Sequence, residues 1–121
     1  SAAKEWCRKL TADDPGFTSL VVLPFRPLPE GDVIELAAAL KTNTKLTSLQ
    51  ASGKELTPKG LEAVAEMLKV NTGLRSLAVG HAGLGDAGLG VLAPGLMANR
   101  GLHQLDLSHK GLTAASAVAL R

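Results

Sequence analysis

Apolar residues recur at fixed offsets through most of this chain. Aligned on Phe17, Leu46, Leu74 and Leu102, successive segments share apolar residues at the first, fourth, sixth and eleventh positions. The fourth position is Leu20, Leu49, Leu77 and Leu105, and the sixth is Val22, Ala51, Val79 and Leu107. Leu28, Leu56, Leu84 and Leu112 fill the eleventh, counted as twelfth in the first unit, which holds one extra residue. The period is 28 residues, and 29 in that first unit. A fixed period of this size marks a stacked architecture, in which each unit buries its apolar face against its neighbours.

The spacing inside a unit predicts its elements. Two residues separate the fourth and sixth positions, which puts both side chains on one face of a short strand. Beyond the eleventh position the period changes. Leu61, Val64, Ala65 and Leu68 follow the i, i+3, i+4, i+7 pattern of one helical stripe, as do Val33, Leu36, Ala37 and Leu40, and Leu89, Leu92, Ala93 and Leu96. Thr57 before Pro58 suits a helix N-cap followed by proline at the first helical position, and Thr113 stands at the same place further on. Asn43, Asn71 and Asn99 follow the helices, where a short polar residue tolerates a turn. The expected fold is α/β: a solenoid of about four repeats of 28–29 residues, with parallel strands on the concave face and helices on the convex face. The repeats are expected at 17–45, 46–73, 74–101 and 102–121, the last truncated. Residues 1–16 are expected to be the end of a preceding helix or repeat, or an N-terminal cap, with Trp6 and Leu10 closing the stack. A start at Ser1 and a stop at Arg121 within an apolar run suggest a fragment of a longer protein.

The pattern L-x-x-L-x-L-x-x-x-x-L followed by a helix resembles the leucine-rich-repeat family. The unit length and the run from Leu84 to Ser108 resemble its ribonuclease-inhibitor-like subclass. That subclass includes the repeats of tropomodulin, CARMIL, NOD-like receptors and Ran GTPase-activating protein. The likeness spans residues 17 to 121. One departure stands out. The family usually places Asn or Cys at position nine, whereas Lys54, Ala82 and Lys110 occupy it here, with Arg26 near it in the first unit. None of these can rebuild an amide ladder, so the backbone groups at those turns are expected to find water or one another.

Composition narrows the function classes. Thirteen basic and 11 acidic residues give a net charge of +2, too even to argue for nucleic acid or a membrane surface. No run reaches the roughly 18 apolar residues that a membrane helix needs. Cys7 is the only cysteine, so no internal disulfide can form, and a reducing, cytoplasmic setting fits best. Aromatic residues make up 2% of the chain, so the core must be aliphatic.

Candidate chemistry is sparse. His81 and His109 are both eighth in their repeats, which makes them candidate edge contacts about 5 Å apart. A metal site wants three or four ligands, and Gly53 supplies none in the preceding unit, so no metal or cofactor is expected. Cys7 follows Trp6 and precedes Arg8 and Lys9, with no catalytic constellation beside it in the sequence. Gly83 to Gly88 match G-x-G-x-x-G literally, but Leu84 is a core position of the repeat, which argues against a phosphate loop. Pro94 falls inside the third helical stripe together with Gly88, Gly90 and Gly95. An interior proline costs about 3 kcal/mol, so a short or kinked helix is expected there. Its uncharged outer face, residues 87–98, is a candidate secondary contact surface.

The strand residues between the core positions form columns on the concave face. The expected partner-binding residues are Thr47, Ser48, Gln50, Arg75, Ser76, Ala78, His103, Gln104 and Asp106. They make a polar, lightly charged surface rather than a pocket. The function expected is a non-catalytic scaffold that binds another protein, within a cytoskeletal or signalling parent. Contacts between fragments through the exposed solenoid ends are a further expectation. The alternatives are a GTPase regulator of the Ran GTPase-activating type and a substrate-recruiting segment of a larger enzyme.

Overall fold

The computed structural model describes residues 2–23, 26–52, 54–80 and 85–106. Helices and strands alternate along them: α1 (Ala2–Thr11), β1 (Ser19–Val21), α2 (Glu30–Leu40), β2 (Ser48–Ser52), α3 (Pro58–Val70), β3 (Ser76–Gly80), α4 (Gly85–Ala98) and β4 (Gln104–Asp106). The four strands form one parallel sheet in the order β1-β2-β3-β4. Leu20 pairs with Leu49, Leu49 with Leu77, and Leu77 with Leu105. The register therefore advances by one repeat per strand. Each helix packs on the next, α1 on α2, α2 on α3 and α3 on α4.

The repeated apolar positions build the core. Leu20, Leu49 and Leu77 are buried at the fourth position, and Val22, Ala51 and Val79 at the sixth. The helical stripes Val33/Leu36/Ala37/Leu40 and Leu61/Val64/Ala65/Leu68 face the same core. In α4, Leu89, Leu92 and Ala93 are buried while Leu96 is half-buried. With no aromatic filler deep inside, a small apolar cavity of about 20 Å³ remains among Leu28, Leu36, Ala51, Val64 and Val79. An apolar void of this kind stays dry.

Three local features differ in detail from the sequence expectation, each for a physical reason. The first concerns α4, which is not short: it runs for 14 residues with Pro94 inside it. Pro94 and Gly90, the residue whose carbonyl loses its helical donor, are both exposed, so the freed oxygen lies open to solvent. Gly95 has a use beyond weakening the helix. A Cβ there would lie 2.7 Å from Ala65 Cα and closer still to the Ala65 carbonyl oxygen, so the glycine lets α4 approach the α3 backbone. The second concerns Thr57, which is the N-cap of α3 with Pro58 in the first turn but makes no side-chain cap bond. Its hydroxyl donates instead to Glu30 on the preceding repeat, at 2.8 and 2.9 Å to the two carboxylate oxygens. The same carboxylate accepts the Thr57 backbone N–H, so Glu30 caps α3 from outside.

The third is the turn after the strands. Lys54 is buried, and its Nζ donates to the Leu23 carbonyl at 2.7 Å and the Arg26 carbonyl at 2.5 Å. A lysine reaching back one repeat thus satisfies backbone acceptors there. The other position-nine residues, Ala82 and Lys110, lie outside the described residues.

An amide ladder does exist, at the opposite end of the strands. Asn43 and Asn71 are each 2% exposed. Asn43 Nδ2 donates to the Leu10 carbonyl at 3.1 Å, and its Oδ1 accepts from the Lys45 and Leu46 amides. Asn71 Nδ2 donates to the Leu40 and Asn43 carbonyls, and its Oδ1 accepts from Leu74. Asn99 repeats the set with Leu68, Asn71, Gly101 and Leu102. Each carboxamide therefore satisfies helix-end carbonyls of the preceding unit and the amides that lead into its own strand.

Candidate functional site

Period-2 alternation decides which strand residues can meet a partner. With Leu20, Leu49, Leu77 and Leu105 turned to the helices, their neighbours turn the other way. Ser19 and Val21 are exposed on β1, Ser48 and Gln50 half-buried on β2, Ser76 half-buried on β3 and Gln104 exposed on β4. These residues share one sheet face. Val21, at 57% exposure, is the apolar exception, and Leu23 follows it at the mouth of the next loop. Ala78 does not offer surface. It is 1% exposed, because its methyl group stands on the third strand in register with the much longer Gln50 of β2. Asp106 stands on the other side of Ala78, on β4.

The polar side chains on this face are tied to one another. Gln50 Nε2 donates to Ser76 Oγ at 3.0 Å and to Ser48 Oγ at 3.3 Å. An open depression of the surface is lined by Gln50, Ser76, His103 and Gln104. Thr47, Arg75 and His103 precede the strands and are exposed. Thr47 Oγ1 donates to the Thr18 carbonyl at 3.1 Å. Arg75 Nη1 donates to the Thr72 carbonyl at 2.7 Å and to the Gly101 carbonyl at 3.1 Å, crossing from one repeat to the next. The face thus gathers Ser48, Gln50, Ser76, His103 and Gln104 and leaves Ala78 behind. His81 and His109 lie outside the described residues.

A solved structure of leiomodin-1 actin-binding site 2 superposes on this chain with a TM-score of 0.74 at 20% identity, covering 87% of this chain and 61% of that one. The tropomodulin C-terminal domain from Caenorhabditis elegans superposes with a TM-score of 0.80 at 10% identity, over 99% of this chain and 74% of that one. The fold is a leucine-rich-repeat-like one. At such identities the likeness concerns fold alone. No protein-family model and no curated protein matches the chain.

Titratable groups in this leucine-rich-repeat-like fold serve the joints between repeats. Asp13 adopts a left-handed backbone conformation (φ 53°), which a short polar side chain tolerates. Its carboxylate accepts Thr44 N–H at 2.7 Å and the Thr44 hydroxyl at 2.6 Å. Those bonds lower its pKa, as the Thr57 hydroxyl and amide lower that of Glu30. Cys7 is half-buried in α1. Burial, and then the negative charges of Glu35 and Asp32, push its thiol pKa up, the opposite of what an activated nucleophile needs. Among the described residues no three His, Cys, Asp or Glu side chains cluster as metal ligands, and no helix is long and apolar enough to cross a membrane.

Sequence reasoning did not find the Glu30–Thr57 and Asp13–Thr44 pairs or the Arg75 bridge. Each joins residues separated by about one repeat. Pairing residues one period apart along the sequence, after fixing the register, is the signal that exposes them.

Proposed function

We propose that this chain is a non-catalytic protein-binding module of cytoskeletal type, and that it presents the outer sheet face and the loops leading into the strands to a partner protein. The observation that carries the reading is the open, polar sheet face around Gln50, Ser76, His103 and Gln104, which offers area without an enclosed cavity. Repeat stacks use extended surfaces of this kind to hold proteins. The likeness to a structure described as an actin-binding site makes actin the first partner to test. The 28-residue unit supports the ribonuclease-inhibitor-like subclass, and the lone, half-buried cysteine supports a cytoplasmic setting. In the decisive experiment the chain is sedimented with filamentous actin and titrated against labelled monomeric actin. Saturable binding, weakened by paired Gln50→Ala and Gln104→Ala changes, is expected. The reading fails for actin if neither form binds.

A further inference from the structure

We infer that Arg75, with Arg100 and His103 beside it, is a docking point for a carboxylate side chain of the partner protein; the inference rests on the protein-binding reading above and names the chemistry of its contact. The argument begins with a guanidinium held in place. Arg75 Nη1 reaches the Thr72 carbonyl of its own loop and the Gly101 carbonyl of the next. Gly101 leaves room for this close approach, since a Cβ on it would stand 2.5 Å from Arg75 Nη1 and closer still to the Thr72 carbonyl oxygen. An exposed arginine usually loses much side-chain freedom when it binds a ligand. Here the two carbonyls have already ordered it.

The two bonds also leave a particular part of the group free. Both run from Nη1, so among the described residues Nε–H and Nη2 have no partner. Nε and Nη2 form the side-on pair of parallel donors that matches the two oxygens of a carboxylate. The setting has the right sign. Arg100 is exposed on the neighbouring strand-entry loop and adds positive charge, while Lys45, one loop earlier, faces the Asp13 carboxylate. His103 follows Arg75 one repeat on, its amide bonded to the Arg75 carbonyl at 2.8 Å. The nearest acids along these loops are Asp13 and Asp14, of which Asp13 is engaged by Thr44 and Asp14 accepts the Gly16 amide. Asp106 lies further along β4, in register with Ala78 rather than with Arg75. Helix dipoles do not account for these cations, because Lys45, Arg75 and Arg100 stand beyond the helix ends, on the way to the strands. A phosphate fits less well, since phosphate sites gather backbone N–H groups, and this loop turns the carbonyls of Thr72 and Gly101 toward the arginine.

The test is an NMR titration of the 121-residue chain with hexaglutamate, with hexaglutamine as the uncharged match. Hexaglutamate is expected to shift the Arg75 Nε–H and the Gly101 and His103 amides, and hexaglutamine to leave them in place. Arg75→Lys keeps the charge and removes the fork, and is expected to weaken association about tenfold while the amide spectrum stays folded. Equal responses to the two peptides, or an Arg75→Lys variant that titrates like the parent, overturns the site. So does a matching response to phosphatidylserine vesicles at equal anionic charge, which would make it a general anion patch. Actin binding with a flat hexaglutamate titration removes the carboxylate site and leaves the protein-binding reading. A positive titration without actin binding keeps the site and removes actin.

Discussion

Asn71 Nδ2 donates to the carbonyl of Asn43 at 3.2 Å, so the side chain of one repeat's asparagine fastens the backbone of the previous one. The same amide nitrogen reaches the Leu40 carbonyl at 2.7 Å, and Oδ1 accepts from Leu74. In a site that is 2% exposed, water cannot replace those partners. Asn71→Ala is expected to cost about 3 kcal/mol, roughly one per bond broken. Asn99→Ala is expected to cost about 1 kcal/mol, because Asn99 is only half-buried and water can re-enter. Urea unfolding of both variants checks the pair. Equal costs would show that burial does not set the strength of these contacts.

The buried Lys54 makes a second case. Lys54→Met keeps the apolar stem and removes the ammonium that serves the Leu23 and Arg26 carbonyls. The expected loss is about 2 kcal/mol, from two acceptors left without a donor. Thermal unfolding reads it, and an unchanged midpoint would mean that water already serves those carbonyls.

Adjacent positions in α4 should respond in opposite directions. Pro94→Ala restores a donor beneath the Gly90 carbonyl and is expected to stabilise by about 1–2 kcal/mol, the helix-interior penalty less the rigidity proline gives the unfolded chain. Gly95→Ala improves helix propensity yet drives a methyl group into the Ala65 backbone, so destabilisation is expected. Calorimetry of the two single variants decides the matter. If Gly95→Ala stabilises, the close approach of α3 and α4 has been misjudged.

Acid should loosen the repeat joints. Bonds from Thr44 hold the Asp13 pKa below its ordinary value of 3.8, and bonds from Thr57 hold that of Glu30 below 4.5. At those values the unfolded chain binds more protons than the folded one, so stability rises with pH. The contribution is complete above the ordinary values and is lost as pH falls through the lowered ones. Asp13→Asn and Glu30→Gln should therefore be less stable than the parent at pH 7 and approach it near pH 2. Urea midpoints measured across that range provide the check, and a constant gap at all pH values would contradict the linkage.

The fold was legible because its signal repeats. Leu49 and Leu77 stand one period apart in sequence and pair in register in the sheet. The helical stripe Leu61/Val64/Ala65/Leu68 is buried as its spacing predicts. The joints were not legible, because they depend on side-chain reach. Asparagine at 43 and 71 is compatible with a turn, and nothing local says that its amide spans two repeats. Lysine at 54 reads as a surface residue until its length is measured against the turn it crosses. Ala78 reads as a surface position by alternation, and burial follows from the size of its neighbour Gln50. Of the candidate face, the columns were readable from period and alternation. The ordered guanidinium of Arg75 was not, since it depends on the absence of a side chain at Gly101.

The asparagine ladder has a direction. Asn43 reaches back to Leu10, Asn71 to Leu40, and Asn99 to Leu68. Lys54 and Thr57 likewise reach back to residues of the repeat before them. Asparagines of a later unit thus hold backbone carbonyls of the earlier one, while Asp13, Glu30 and Arg75 reach the other way, to the unit that follows. Removing the last unit would leave Asn43 and Asn71 with their acceptors, whereas removing α1 would strip Asn43 of the Leu10 carbonyl.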